Sequence, residues 1–171
     1  MSTGSDATVA PITKQDENSQ NLVMTAQQLR ILVVDDHEPF RRYVSSTLQE
    51  QANVAIIGEA EDGLQAVQQA KALQPDVIIL DIGLPGLNGI EAARQVRQVA
   101  SQARIIFLTQ ETSSEVRAEA WALGAWGYVI KMQAGTELIA AVQAVSQGRK
   151  FVGNGFDGRH NPTGSKEEPG K

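Results

Sequence analysis

Five short runs rich in Val, Ile and Leu punctuate this chain, at Ile31–Val34, Val54–Glu59, Val77–Leu80, Ile105–Leu108 and Gly127–Ile130. Such runs suit strands covered on both faces, which is the habit of a parallel sheet. Between them, apolar residues recur at helical spacing. Phe40, Val44 and Leu48 form one stripe, and Leu64, Val67, Ala70 and Leu73 a second. Ile90, Ala93 and Val96, then Val116, Ala120 and Leu123, then Leu138, Ala141, Val142 and Val145 complete the set. Asn88 with Glu91 three positions on resembles a capping pair. Gly124 and Gly148 stand where helices would stop. Strands alternating with helices in this way predict an α/β domain: a doubly wound, five-stranded parallel sheet with helices on both faces. Right-handed crossovers settle which face each helix covers.

The flanks lack this periodicity. Residues 1–28 are rich in Ser, Thr, Gln, Asn and Asp, and predict a disordered tail with a short helical stretch near Leu22–Gln28. Residues 151–171 carry repeated Gly with Asn, Pro, Ser and Lys, and predict a second disordered tail. One folded domain is therefore expected over residues 29–150. A length of 171 residues suits one domain with tails. The formal net charge of −5 argues against a large non-specific nucleic-acid footprint. With no cysteine, disulfides and thiolate chemistry are excluded. No stretch approaches membrane-spanning length and no secretory signal is apparent, so a cytoplasmic protein is expected.

Polar residues stand where the runs end. Ile31–Val34 leads into Asp35 and Asp36, Val77–Leu80 into Asp81, Ile105–Leu108 into Thr109, and Tyr128–Ile130 into Lys131. In a parallel sheet these strand ends share one edge, and that edge is where α/β proteins bind ligands. Three acids, a hydroxyl and an amine are thus predicted to converge. One Asp suffices to cap the following helix. Two adjacent acids suit a hard cation such as Mg²⁺, which takes carboxylate oxygens and keeps several waters. His37 is expected to be an exposed bystander. Asp81 precedes a turn that Gly83, Pro85, Gly86 and Gly89 would form in any case. Three carboxylates repel one another without a cation; with one, two could hold it and the third attack phosphorus. Thr109 alone is an ordinary strand residue. Lys131 offers a fixed counter-charge for a carboxylate, then for a phosphoryl oxygen. Tyr128 taken alone reads as a half-buried aromatic on an edge strand.

The segments ILVVDDHEPFRRYV, GEAEDGLQAV, PDVIILDIGLPGLNGIEAARQVR, RIIFLTQ and GAWGYVIKMQAGTELIAAVQAV together resemble the receiver domain of two-component response regulators. The resemblance covers about residues 29–150 and implies a flavodoxin-like strand order 2-1-3-4-5. It also implies roles. Asp81 would accept a phosphoryl group from a sensor histidine kinase or a histidine phosphotransfer protein. Asp35, Asp36 and Asp81, with the backbone carbonyl of Gly83, would hold Mg²⁺. Thr109 would hydrogen-bond the phosphoryl group, Lys131 would neutralise it, and Tyr128 would turn inward as the switch aromatic. The protein would be a self-dephosphorylating switch rather than an enzyme. Two positions depart from the family pattern. Met132 replaces the usual proline after the lysine, so a trans bond and a different loop are expected. Gln110 replaces the usual small residue after the threonine and would crowd the phosphoryl group.

Many such receivers precede a helix-turn-helix domain, but the last twenty or so residues here hold no helical stripe. A stand-alone receiver is therefore expected, acting on a downstream protein, with no direct DNA binding and no membrane contact. The resemblance allows a weak homodimer through the fourth helix and fifth strand. Alternatives are a remnant of a transcriptional regulator, a receiver that works without phosphorylation, and a phosphatase resembling the haloacid dehalogenases. The last would need an Asp-x-Asp after the first strand and a cap insertion; this chain has adjacent acids and no room for a cap.

Overall fold

The computed structural model describes residues 27–155, so most of both expected tails, and of the helical stretch expected near Leu22–Gln28, lies outside the described residues. The elements are β1 (Leu29–Val34), α1 (Glu38–Gln49), β2 (Val54–Ala60), α2 (Gly63–Leu73), β3 (Val77–Leu80) and α3 (Gly89–Val99). There follow β4 (Arg104–Thr109), α4 (Ser114–Ala122), β5 (Gly127–Ile130), a 3₁₀ turn (Lys131–Gln133), α5 (Ala134–Ser146) and β6 (Phe151–Val152). The strands form one parallel sheet in the order β2-β1-β3-β4-β5-β6. The first five keep the expected order.

Alternate side chains along each strand feed two cores. On one face Leu32, Val34, Ile78, Leu80 and Phe107 pack against Ala66 and Ala70 of α2, Ile90, Ala93 and Val96 of α3, and Ala120 of α4. On the other face Ile31, Val33, Ile79, Ile106 and Leu108 meet Val44 and Leu48 of α1 and Leu138, Ala141 and Val145 of α5. All four residues of β3 are buried, as a central strand under two helical layers requires. Each buried Ile, Leu or Val contributes about 1.5–3 kcal/mol by leaving water, so this core holds the sheet edge rigid enough to present a site.

Helix ends follow local chemistry. The Asn88 side chain accepts the Glu91 N–H (3.0 Å) at the start of α3. Asp62 does the same for α2 with Gln65 (2.8 Å). Gly124 and Gly148 take left-handed φ of 86° and 77° just past α4 and α5, a conformation open to glycine without a Cβ clash.

Three details depart from the sequence reading. Leu64, assigned to the buried stripe of α2, is 59% exposed. A Cβ at its neighbour Gly63 would lie 2.0 Å from the Leu87 carbonyl oxygen, so backbone contact there turns Ala66 inward and Leu64 out. Next, the sheet does not end at β5. Gly148 turns the chain back, and Phe151 and Gly153 donate their N–H groups to the carbonyls of Trp126 (2.9 Å) and Tyr128 (3.0 Å). The folded unit thus runs past residue 150 into the expected tail, and β5 is not an edge. A two-residue strand carries no periodicity to reveal it. Finally, β2 has a register shift opposite Ile31 and Leu32: Ile31 pairs with Ile56, but Leu32 pairs with Gly58. The extra residue is a bulge.

Candidate functional site

The carboxyl ends of β1, β3, β4 and β5 open into a cleft of about 820 Å³. Asp36, His37, Phe40, Asp81, Thr109 and Lys131 contribute to its lining. Residues up to a hundred positions apart therefore meet at the predicted edge. Asp35 and Asp81 extend strands that pair directly, Val34 lying beside Leu80. The Asp81 N–H bonds the Val34 carbonyl (3.0 Å), which fixes the two acids side by side.

Lys131 closes the arrangement. Its Nζ lies 2.7 Å from Asp35 Oδ2 and 2.8 Å from Asp81 Oδ2. The lysine side chain is 12% exposed and the two carboxylates 4% and 6%, so water screens these contacts little. The ammonium also sits 4.9 Å from the centre of the Phe40 ring, close enough for cation–π attraction. Burial pulls the Lys131 amine down, but the hydrogen bonds it donates to Asp35 and Asp81 more than offset this and leave it above the ordinary lysine range. Burial raises Asp35 above the ordinary carboxylate range, although Lys131 and the His37 N–H pull the other way. The cost of burying that carboxylate exceeds what a single ammonium shared with Asp81 returns.

The remaining acids complete an oxygen cage. One carboxylate oxygen from each of Asp35, Asp36 and Asp81 lies within 4.8 Å of the others. Asp36 is exposed, facing solvent at the cleft mouth. Asp35 Oδ1 accepts the His37 N–H (2.9 Å), and Asp81 Oδ1 accepts the Gly83 N–H (3.1 Å). His37 itself occupies the N-cap of α1 without a side-chain hydrogen bond, so neither Asp is that cap. An all-carboxylate donor set, with one member open to solvent, fits a small hard divalent cation that keeps part of its water shell.

Thr109, at the end of β4, lines the cleft, and Tyr128 lies buried on the neighbouring strand β5. The buried Thr109 hydroxyl accepts the Glu111 N–H (3.1 Å). The Tyr128 hydroxyl donates to the Glu111 carbonyl (2.9 Å). Both side chains thus hold one residue, Glu111, at its two backbone groups. Tyr128 is fully buried in the core beside Phe107, not half-buried, and its strand is not an edge because β6 pairs with β5. Burial, then the Glu111 carboxylate, push the phenol up to about 12. Gln110 and Met132 both line the cleft, and Met132 is 89% exposed. Its peptide bond to Lys131 is trans, as expected, and runs into the 3₁₀ turn. Sequence reasoning missed Glu111, which acts through its backbone and so carries no residue-type signal. It also missed Phe40 as a contact of Lys131, since Phe40 reads only as a member of the α1 stripe.

A model of the response regulator receiver domain family matches residues 31–143. The chain is 32% identical over 124 residues to the response regulator UvrY of Escherichia coli, covering 72% of this chain and 57% of that protein. It is 37% identical over 126 residues to the DNA-binding transcriptional activator DevR/DosR of Mycobacterium tuberculosis, covering 74% and 58%. A crystal structure of a LuxR-family two-component response regulator from Aurantimonas sp. SI85-9A1 superposes with a TM-score of 0.69 at 35% identity, covering 72% of this chain and 89% of that one. The chain spans a little over half the length of these curated relatives.

Proposed function

We propose that this chain, which belongs to the response regulator receiver domain family, is a signalling switch in which Asp81 accepts a phosphoryl group from a histidine kinase or phosphotransfer protein. The observation that carries the assignment is the placement of Lys131 on both Asp35 and Asp81 inside an acidic cleft. In the transfer, an Asp81 carboxylate oxygen forms a bond to phosphorus as the phosphorus–nitrogen bond to the donor imidazole breaks. The bonding pair leaves with that imidazole.

Asp35, Asp36, Asp81 and the Gly83 carbonyl would hold Mg²⁺, which supplies positive charge against the phosphoryl oxygens when bound. The chain's own groups do the positioning, which is most of what phosphoryl transfer asks of a protein. The Gly83 N–H orients one Asp81 oxygen, and Lys131 meets the developing charge. Phosphorylation adds about −1.5 to −2 charge at Asp81. Thr109 then exchanges the Glu111 N–H for a phosphoryl oxygen, and Lys131 shifts toward the same group. Because Tyr128 also holds Glu111, moving Thr109 disturbs the partner of Tyr128 and repacks the surface of α4, β5 and β6. The same cleft admits water for slow loss of the phosphoryl group, so the switch resets without a separate active site.

The test is exposure to a small phosphodonor such as acetyl phosphate with Mg²⁺, followed by intact-protein mass spectrometry. Wild type gains one phosphoryl group and Asp81→Asn gains none. A labelled Asp81→Asn, or an unlabelled wild type, overturns the assignment. Family membership leaves no role for the phosphatase alternative.

The relatives favour one further reading. Those named as transcriptional regulators are longer proteins, and one is named as DNA-binding. The expectation of no direct DNA binding is therefore replaced by a second proposal: the switch surface governs a DNA-binding function carried outside this domain. Among the described residues no helix is long and apolar enough to cross a membrane.

A further inference from the structure

Asp35 is held at every polar atom, and one of those holds lies outside the cleft. Its N–H bonds the Ala60 carbonyl (3.0 Å), Oδ1 takes the His37 N–H (2.9 Å) and Oδ2 takes Lys131 (2.7 Å). Its backbone carbonyl receives Arg41 Nη1 at 2.7 Å. Arg41 does not line the cleft. It stands one turn into α1, where a cation opposes the helix dipole. Its side chain is only 12% exposed and its Nε bonds Glu59 Oε2 at 3.3 Å. The other oxygen of Glu59 accepts from the buried hydroxyl of Ser45, also on α1.

Glu59 reaches this place because of the bulge in β2. Past the shift it pairs with Val33, on the face covered by α1 and α5. Without the extra residue Glu59 would pair with Val34 and face α2 and α3, since a one-residue slip exchanges the two faces of a strand. The bulge therefore aims a carboxylate at Arg41, and Arg41 at the peptide that joins Asp35 to Asp36.

We infer that Arg41, braced by Glu59 and Ser45, is a positioning residue for the acid pair: it fixes the β1–α1 turn so that both carboxylates present oxygens to one cation. This rests on the assignment of Asp35, Asp36 and Asp81 as Mg²⁺ ligands. Charge and position predict opposite signs. Arg41 is a cation near the site, so by charge alone its loss tightens Mg²⁺ binding. By position its loss weakens binding, because groups that orient metal ligands typically govern affinity by about 10- to 100-fold.

The experiment is calorimetric titration of metal-free protein with Mg²⁺ for wild type, Arg41→Gln, Arg41→Lys and Glu59→Gln. Amide exchange of Asp36 and His37 is followed in the same samples without metal. Arg41→Gln is expected to raise the Mg²⁺ Kd on the order of tenfold and to speed exchange at both amides. Glu59→Gln, a change at an exposed side chain that leaves the core intact, is expected to shift both in the same direction by less. Arg41→Lys restores part of the loss. Wild-type binding with equal or tighter binding by Arg41→Gln overturns the positioning role alone. A wild type that takes up no Mg²⁺ overturns the ligand assignment and this inference together.

Discussion

Removal of Lys131 isolates the electrostatics on which the cleft depends. Lys131→Met keeps the length and apolar contacts of the stem while deleting the ammonium that bonds Asp35 and Asp81. Asp36 is exposed and screened, so the penalty falls on the buried pair. Their nearest oxygens lie within 4.8 Å, and at an effective dielectric of 20 two unit charges at that separation repel by about 3 kcal/mol. Breaking a buried ion pair by deleting one partner costs about 3–5 kcal/mol in general, which agrees in size. Urea unfolding followed by the fluorescence of Trp121 and Trp126 measures the difference. In metal-free buffer at neutral pH the variant is expected to lose about 3 kcal/mol. Mg²⁺ at a hundred times its Kd adds about 2.7 kcal/mol to either protein. It adds more to the variant at a given concentration, because no ammonium competes with it there. A variant within about 0.5 kcal/mol of wild type, the range of an inert surface change, would refute the claim that Lys131 holds the two carboxylates together. So would a variant that Mg²⁺ stabilises no more than it stabilises wild type.

Three other outcomes are expected. Burial holds the Tyr128 phenol up to about 12 against an unfolded value of 10.0. The protonated form is therefore favoured by folding, so this stabilisation is complete below pH 10 and is lost as pH rises toward 12. Ultraviolet phenolate titration of wild type against Tyr128→Phe reads this directly, and a wild-type excess of phenolate centred near pH 10 would contradict it. At Gly89, a Cβ would lie 2.0 Å from the Asp81 carbonyl oxygen. Gly89→Ala is expected to cost about 1–3 kcal/mol in urea unfolding and to slow labelling of Asp81, and unaltered labelling would argue against that contact. Glu137 is buried, and its Oε1 accepts the Asn154 N–H at 2.7 Å. Glu137→Ala is expected to cost about 1–3 kcal/mol and to speed exchange at Gly153 and Asn154, whereas unchanged exchange would show that the carboxylate does not anchor the segment after β6.

Much of this protein is determined by local pattern. The buried strands reveal themselves because a parallel sheet under two helical layers tolerates few polar positions, and each run's end is marked by the first polar side chain. Asp35, Asp81, Thr109 and Lys131 are legible for that reason: their positions follow from strand ends alone, and parallel strands bring those ends together. Helix limits at Asn88, Gly124 and Gly148 are equally local, being matters of one cap or one φ angle. Tertiary structure decided the rest. Whether Glu59 faces α1 or α2 turns on a single inserted residue whose cost and benefit are set by the neighbouring strand. That β5 is an inner strand depends on β6, two residues whose pairing is favourable only because β5 is already in place. The holds on Glu111 and on the Asp35 carbonyl engage backbone groups, which every residue carries, so no side-chain alphabet could announce them.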